Sequence, residues 1–223
     1  MKYIVSRFNH NIAWLNDYTN DIVLYDRSDN AMYSNGFSIF KAKNIGSDIY
    51  DKFTFIIDHY DNLPEVACYI KANLFDYIRP KEFELIKNNK TFTPILTQFH
   101  KEVMCDEGML KALGKSAPYP FSYYKDGMYY ELNYSSYLKS NPAKNQPTPI
   151  TLEWYKNLEI VKLLGIDKME YLPFAPGSNY ILPRENILKH SKEFYEKLRS
   201  FIDWGVYPGE VFILERGLYN LWR

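Results

Sequence analysis

Short apolar runs alternate with helical or loop segments through the first hundred residues, and this alternation constrains the fold more than any other feature. Such a pattern predicts an α/β layer structure. The predicted strands are Tyr3 to Phe8, Ile22 to Tyr25, Phe37 to Lys41 and Val66 to Lys71. A helix before the last of these strands is indicated by five apolar residues at helical spacing, namely Ile49, Phe53, Ile56, Ile57 and Tyr60. Ser47 or Asp48 is its expected N-cap. A second, short helix is predicted to begin at Pro80.

The second half of the chain is expected to be less regular. Prolines and tyrosines crowd residues 114 to 150, which predicts a long irregular excursion over the surface. Beyond it, helices are predicted from about Leu152 to Leu164, from about Arg184 to Ile202 and near Glu210 to Trp222. Short strands are predicted at Tyr171 to Phe174 and Tyr180 to Leu182.

Charge and cysteine usage exclude several classes of protein. The chain has 27 Lys plus Arg and 27 Asp plus Glu, so no overall field attracts nucleic acid or an anionic membrane. No apolar run approaches the roughly 18 residues of a membrane-spanning helix. Cys68 and Cys105 form no C-x-x-C pair, which argues against a zinc module or a disulfide framework. These features predict a soluble protein of the cytoplasm.

Several familiar catalytic motifs are missing from the sequence. It has no G-x-G-x-x-G fingerprint, and Met109 stands where a P-loop before Gly114-Lys115-Ser116 needs its first glycine. No H-x-x-x-H pair or G-x-S-x-G elbow occurs either. Dinucleotide binding, P-loop chemistry and the common metal and serine hydrolases therefore lose their usual sequence support.

Polar residues follow the predicted strands and precede the first helix. They are Arg7, Asn9 and His10, then Asn44, Gly46 and Asp48, then Asn73 and Asp76. Because ligands of α/β sheets lie beyond the carboxyl ends of strands, we expect these residues to converge. Arg7 can take a base edge or a phosphate, and the turn before the helix can offer backbone N–H groups. Asp76 can hold a divalent cation or accept a hydroxyl proton.

Each of these assignments has a structural alternative. Arg7 can form an ion pair, Asp48 can cap a helix, and Asp76 can belong to a turn. Asp48 and Asp51 in one helical turn would repel phosphate, which favours a ribose or sugar hydroxyl there. The tyrosine-rich stretch can be packing or a sugar platform. The remaining polar group, Glu210, Glu215 and Arg216, can be an exposed helix face or an ion-pair cluster.

Short strings along the chain, taken in order, resemble a family of small glycosyltransferases with the GT-A fold. The strings are Ser6-Arg7-Phe8-Asn9 with Trp14-Leu15, residues 44–48, 56–64, 69–76 and 174–180, Phe194 to Leu198, and Glu210 with Leu214-Glu215-Arg216. Within this family the chain is similar to the sugar-transferase domain encoded by large algal viruses, a group that uses UDP-sugars with a divalent metal. For a viral protein, the predicted compartment is the host cytoplasm.

The resemblance implies a single domain with a GT-A-like central mixed sheet flanked by helices. Residues 1–100 would form the nucleotide-sugar-binding half and residues 101–223 the acceptor side. The implied reaction moves a sugar from a UDP donor to a saccharide hydroxyl, with inversion and with Mn²⁺ or Mg²⁺. The implied metal ligand is Asp76, which is also the first catalytic candidate; Glu210 is the second and Asp106-Glu107 the third. The implied nucleotide-sugar contacts are Arg7, Asn9, Asn44, Gly46, Asp48, Lys71, Asn73, Gly177 and Ser178.

One departure from the family pattern concerns the metal. GT-A enzymes usually carry an Asp-x-Asp signature, and no two aspartates here are separated by one residue. The segment Asn73 to Asp76 occupies the position of this signature after the fourth predicted strand. A single carboxylate, that of Asp76, would then bind the metal in place of two. The missing signature keeps open a non-catalytic carbohydrate-binding or assembly protein, and a nucleotide-sugar hydrolase is a third reading.

Overall fold

The computed structural model describes residues 1–29, 37–97, 102–133 and 151–223. One sheet contains β1 (Lys2–Arg7), β2 (Ile22–Asp26), β3 (Ser38–Lys41), β4 (Val66–Lys71), β5 (Thr93–Pro94) and β10 (Tyr180–Pro183). The other contains β6 (Val103–Met104), β7 (Pro120–Lys125), β8 (Met128–Leu132) and β9 (Tyr171–Phe174). The helices are α1 (Ser47–Asp58), α2 (Pro80–Ile86), α3 (Glu107–Ala112), α4 (Leu152–Asn157), α5 (Glu159–Leu163), α6 (Arg184–Ile187), α7 (Lys192–Ser200) and α8 (Gly209–Trp222).

The larger sheet is mixed, with strand order β3-β2-β1-β4-β10-β5. Its first four strands are parallel, and β10 runs antiparallel to both β4 and β5. This confirms the predicted mixed α/β architecture in one domain. From β1 the chain forms β2 and then β3 on one side of β1. It then passes through α1 and forms β4 on the other side of β1. The order therefore reverses between β1 and β4, where Ser6 pairs with Lys71.

The parallel strands form where the apolar runs predicted them. Strands β1, β2 and β4 are buried along almost their whole length, as sheets covered on both faces require. Ile4 joins the larger apolar core with Phe53 of α1, whereas its neighbour Val5 joins the core on the opposite face with Phe83 of α2. Successive side chains thus serve the two faces of one sheet.

The start of α1 differs from the expected cap. Gly46 is the N-cap residue, with φ of 61°, and no side chain caps the helix. The prediction of a Ser47 or Asp48 cap was wrong, because Gly46 makes a turn that side chains disfavour and Asp48 points into the protein interior instead. A Cβ atom at Gly46 would lie 2.6 Å from the carbonyl oxygen of Ile202.

The prediction of an irregular segment at 114–150 was wrong for its first part. Pro120–Lys125 and Met128–Leu132 form a hairpin that pairs with β6 on one side and β9 on the other. Its turn, Asp126-Gly127, has φ of 50° and 79°, as two-residue hairpins prefer. Tyrosine favours strands, and Pro120 is tolerated at the first strand position. Residues 134–150, with Tyr134 and Tyr137, lie outside the described residues.

Two of the predicted helices are each divided in two. The first breaks at Leu158, whose ψ of 132° is extended and separates α4 from α5. The second breaks before Ser191, which caps α7 by accepting a hydrogen bond from the Phe194 N–H. The last helix, α8, forms as predicted and packs against β9 and α1, which joins the two sheets. None of the helices within the described ranges has the length and apolarity that crossing a membrane requires.

Candidate functional site

Two adjoining cavities lie at the carboxyl ends of β1 and β4. The strand-end cavity, of about 150 Å³, is bordered by Ser6, Arg7 and Asn73, among others. The inter-sheet cavity, of about 320 Å³, reaches from this edge to the second sheet and α8. The residues that border both are Ser47, Asp48, Lys71, Tyr77 and Tyr207. The reversal of strand order thus places Asp48 and Lys71 where the cavities meet.

Asp48 is the centre of a buried cluster at this junction. Its Oδ1 lies 3.1 Å from the Lys71 Nζ, and its Oδ2 accepts hydrogen bonds from the Lys52 ammonium and the Ser178 hydroxyl. Lys52 is one turn along α1 and only 1% exposed. Two ammonium groups therefore share one carboxylate, which leaves a positive charge in excess at the junction.

The ionisation of this cluster follows from its contacts. Burial acts to raise the pKa of Asp48, but Lys52 and Lys71 outweigh it and hold that pKa well below its usual range. Burial acts to lower the pKa of Lys71, but Asp48 and then Glu215 raise it above its ordinary value. Burial lowers the pKa of Lys52, with Asp48 opposing. At neutral pH the carboxylate is an anion and Lys71 is a cation.

The two arginines of the strand-end cavity are each paired with an aspartate. Arg7 Nη1 lies 2.8 Å from Asp26 Oδ1, so the ion-pair alternative for Arg7 is confirmed. Arg27 donates from Nε and Nη2 to the two Asp51 oxygens at 2.8 and 2.7 Å. Burial raises the pKa of Asp51 to about 6, with Arg27 opposing. The expected repulsion of phosphate by Asp48 and Asp51 is thus offset by Lys52, Lys71 and Arg27.

A second cluster, centred on Arg216, borders the far side of the inter-sheet cavity. Arg216 lies 2.7 Å from Glu131 of β8 and 2.6 Å from Glu215 beside it in α8. The guanidinium carbon is 4.7 Å from the centre of the Phe174 ring. Glu215 also accepts a 2.8 Å hydrogen bond from the Gly177 N–H. Two carboxylates share one guanidinium, which leaves a negative charge in excess.

The inter-sheet cavity therefore has ends of opposite charge. At one end the Asp48 carboxylate binds two ammonium groups, and at the other end the Arg216 guanidinium binds two carboxylates. All of these charged side chains except Lys52 border the cavity. A ligand with an anionic group at the Lys71 end and hydroxyl groups at the Glu215 end fits this arrangement. Strained backbone flanks the first cluster, because Ser47 and Ser178 have φ of 53° and 56°.

Most of the predicted nucleotide-sugar contacts come together. Those that border the strand-end cavity are Arg7, Asn44, Asp48, Lys71 and Asn73; Gly177 and Ser178 border the inter-sheet cavity. Gly177 lies so close to Tyr77 that a Cβ would meet the ring at 2.6 Å. Gly46 borders neither cavity but donates a 2.7 Å hydrogen bond to the Gly205 carbonyl. Asn9 is exposed and its N–H donates to the Ser28 hydroxyl at 2.7 Å.

The predicted catalytic and metal residues lie elsewhere. Asp76 is exposed, accepts a 2.7 Å hydrogen bond from Asn73, and borders neither cavity. Glu210 in the first turn of α8 also borders neither cavity. Asp106 caps α3 by accepting a hydrogen bond from Met109 N–H, and Glu107 is in that helix's first turn. The catalytic roles of these residues stay predictions.

The donor groups at the junction do not suit Mn²⁺ or Mg²⁺. Both Asp48 oxygens are engaged by cations, and the exposed Asp76 carboxylate accepts a hydrogen bond from the Asn73 amide. Across the described ranges, no three His, Cys, Asp or Glu side chains group in a way that could hold a metal ion. Divalent cations of this kind need several oxygen ligands, which Asp48 and Asp76 do not supply together.

Four residues of these clusters were not singled out as site residues from sequence: Lys52, Glu131, Glu215 and Arg216. Lys52 had a local signal, since it follows Asp48 at the i,i+4 spacing of helical ion pairs. Glu131 is a carboxylate on the buried face of an aromatic strand, and its partner lies 85 residues away. Neither signal identifies the residues that these side chains contact in distant parts of the chain.

Comparison of the chain with models of protein families, with curated proteins and with solved structures found no match.

Proposed function

We propose that this protein is a glycosyltransferase that moves a sugar from a nucleotide donor, of the UDP type, to a hydroxyl group of a saccharide. The observation that carries the proposal is the meeting of two cavities at Asp48 and Lys71, beyond the carboxyl ends of β1 and β4. Ligands of open α/β sheets bind where the strand order reverses. Two joined cavities of different chemistry suit a reaction of two substrates.

The strand-end cavity suits the donor nucleotide. Phe8 and Tyr207 border it with 40% and 53% of their surfaces exposed, and such rings can stack on a base. Asn44 and Asn73 supply amide donors and acceptors for base or ribose. The mixed sheet agrees with the expected GT-A-like fold, and this supports the proposal without deciding it, since one fold serves many functions.

The inter-sheet cavity suits the acceptor. Carboxylates of Glu131 and Glu215 can accept hydrogen bonds from sugar hydroxyls, and the rings of Tyr129 and Phe174 offer apolar faces to sugar C–H groups. In the proposed reaction the acceptor oxygen attacks the anomeric carbon and its proton passes to the Glu215 carboxylate. The bond from that carbon to the diphosphate oxygen breaks, and the nucleoside diphosphate leaves. The inversion and the Mn²⁺ or Mg²⁺ implied by the resemblance stay predictions.

One observation favours a second candidate, a carbohydrate-binding protein without catalysis. Each carboxylate around the inter-sheet cavity already accepts hydrogen bonds from cationic or backbone groups, as Glu215 does from Arg216 and Gly177. A base that is held in this way transfers protons less readily. A hydrolase has no observation of its own in its favour.

The test is a transfer assay with a panel of UDP-sugars and saccharide acceptors, read by mass spectrometry. We expect a product heavier by one sugar residue, its loss in Glu215→Gln, and its retention in the control Glu196→Gln, which alters an exposed carboxylate of α7. UDP binding without any transfer supports the non-catalytic candidate. Release of free sugar whether or not an acceptor is present identifies a hydrolase.

A further inference from the structure

We propose that the Lys71 ammonium group, held in place by Asp48, binds the diphosphate of the donor and supplies the positive charge that a divalent cation supplies in metal-dependent transferases. This inference rests on the proposed function for the identity of the donor. The anion-binding property itself is independent of it and applies to inorganic pyrophosphate as well.

The excess charge of the Asp48 cluster is accessible only at Lys71. Lys52 is 1% exposed and its ammonium is engaged by Asp48 and, at 3.2 Å, by Ser178. The Lys71 side chain is 22% exposed and borders both cavities. A ligand therefore meets the surplus charge at Lys71. The partly buried setting strengthens that attraction over one in bulk water.

Lys71 also has the capacity and the support to bind a phosphate oxygen. An ammonium has three N–H groups, and Asp48 accepts from one of them at 3.1 Å. The Tyr77 ring, whose centre is 5.4 Å from Nζ, borders the ammonium on another side. At the backbone, the Lys71 N–H donates to Asn179 Oδ1 at 2.9 Å, which fixes the end of β4. The ammonium is thus positioned before a ligand arrives.

Asp48, which is shared with Lys52, is the carboxylate in ion-pair contact with Lys71. Arg7 and Arg27, the arginines that border the strand-end cavity, are each paired with an aspartate, Asp26 and Asp51. The twelve-residue helix α1 begins at the junction, and the first N–H groups of a helix carry partial positive charge without intrahelical acceptors. Glu215 of the Arg216 cluster borders the same cavity and helps to raise the pKa of Lys71, but its carboxylate is held by Arg216 at 2.6 Å.

A divalent cation is a poor fit at the same place. It would need the oxygens of Asp48, which already bind two ammonium groups, and it would stand beside those like charges. Charge that develops on a leaving diphosphate needs a fixed positive partner. Among the described residues around the junction, Lys71 is the group placed to meet it.

The test is a calorimetric titration of the whole protein with inorganic pyrophosphate and with UDP, first in EDTA and then with Mn²⁺. We expect both ligands to bind in EDTA and Mn²⁺ to change the dissociation constants less than about threefold. Lys71→Gln should weaken both by about 10-fold to 100-fold, as loss of a hydrogen bond from a charged group does. Lys71→Arg should weaken the binding of both ligands less than Lys71→Gln does. The control Lys125→Gln removes an exposed charge from the hairpin and should bind as the wild type does.

Thermal unfolding of each variant separates loss of binding from loss of folding, since Lys71→Gln leaves Asp48 paired with Lys52. The inference is overturned if pyrophosphate and UDP bind only with Mn²⁺, if neither binds, or if Lys71→Gln binds as tightly as the wild type. Binding only with Mn²⁺ leaves a metal-dependent glycosyltransferase standing. Lysine-dependent binding in EDTA without sugar transfer supports the anion site and rejects the proposed function.

Discussion

The Asp48 and Arg216 clusters are built on the same plan with opposite signs. Around Asp48 one carboxylate holds two ammonium groups, and around Arg216 one guanidinium holds two carboxylates. They differ in what their members can do with a proton. A buried lysine can lose its charge by deprotonation, whereas an arginine keeps its charge at every pH that a protein survives. If its central carboxylate is lost, the first cluster can lose charge by deprotonation of Lys52, whereas the second, without its guanidinium, can lose charge only by protonation of Glu131 or Glu215.

The largest expected effect comes from the centre of the second cluster. Arg216→Met leaves Glu131, which is 4% exposed, as a buried carboxylate without its cation. We expect the free energy of unfolding to fall by about 3–5 kcal/mol, measured by urea denaturation. The control Arg223→Met changes an exposed arginine at the chain end and should alter it by less than about 0.5 kcal/mol. Adding Glu131→Gln to Arg216→Met should recover part of the loss, and no recovery would contradict the assigned pairing.

Removal of the centre of the first cluster should cost less and should depend on pH. Asp48→Asn leaves Lys52 buried, and we expect a loss of about 3 kcal/mol at pH 7. Burial already lowers the pKa of Lys52 in the fold, and without Asp48 it should be lower still. The unfolded chain then binds more protons than the folded one, so the stability of the variant should rise with pH up to about 10.

Urea denaturation of Asp48→Asn at several pH values measures this slope. Asp58→Asn, at the end of the same helix, removes an exposed carboxylate and serves as the control. A stability difference between Asp48→Asn and wild type that stays constant from pH 6 to pH 9 would show that Lys52 does not discharge.

The pKa values of two aspartates one turn apart in α1, Asp48 and Asp51, should be shifted in opposite directions. Asp51, with a pKa of about 6 raised by burial, contributes stability that is present below pH 4 and is lost as pH rises through 6. Asp48, with a lowered pKa, contributes stability above pH 4 that is lost as pH falls toward acid. Carboxyl ¹³C shifts followed by NMR should show a midpoint near pH 6 for Asp51 and none above pH 4 for Asp48. Coincident midpoints would contradict the difference in their partners.

The smallest effect on stability is expected at Tyr207, which borders both cavities and is 53% exposed. Tyr207→Ala should change the free energy of unfolding by less than about 0.5 kcal/mol. It should weaken UDP binding by about fivefold, as the loss of a ring contact worth about 1 kcal/mol does. Val206→Ala alters the neighbouring exposed side chain, which borders neither cavity, and should bind UDP normally. Equal effects of the two variants would count against a ring contact.

The elements that were predictable from sequence are those whose signal is local. Strands β1, β2 and β4 have continuous apolar runs, and α1 has an apolar face with Phe53 and Ile56 buried. The hairpin of β7 and β8 was missed because it lies in a stretch rich in proline and tyrosine that resembles a loop, and because its partner strand β9 lies far along the chain.

The residues of the candidate site also divide into those with a local sequence signal and those that depend on contacts between distant elements. Arg7, Asn44, Lys71 and Asn73 were found because they follow or precede strands and helices that could be located. The pairing of Glu131 with Arg216 was not found, because it depends on how two distant elements approach each other in three dimensions. Asp76 was chosen as a metal ligand because it follows the fourth strand, but it borders neither cavity.

The sharing of Arg216 by two carboxylates has a consequence for how this chain can change over generations. Replacement of Arg216 alone leaves Glu131 as a buried negative charge, whereas replacement of Glu131 alone leaves Arg216 paired with Glu215. Loss of Glu131 is therefore expected to precede loss of Arg216, in segments 85 residues apart. Relatives of this protein are expected to vary there in correlated pairs, a statistical signature that survives after short sequence strings have diverged.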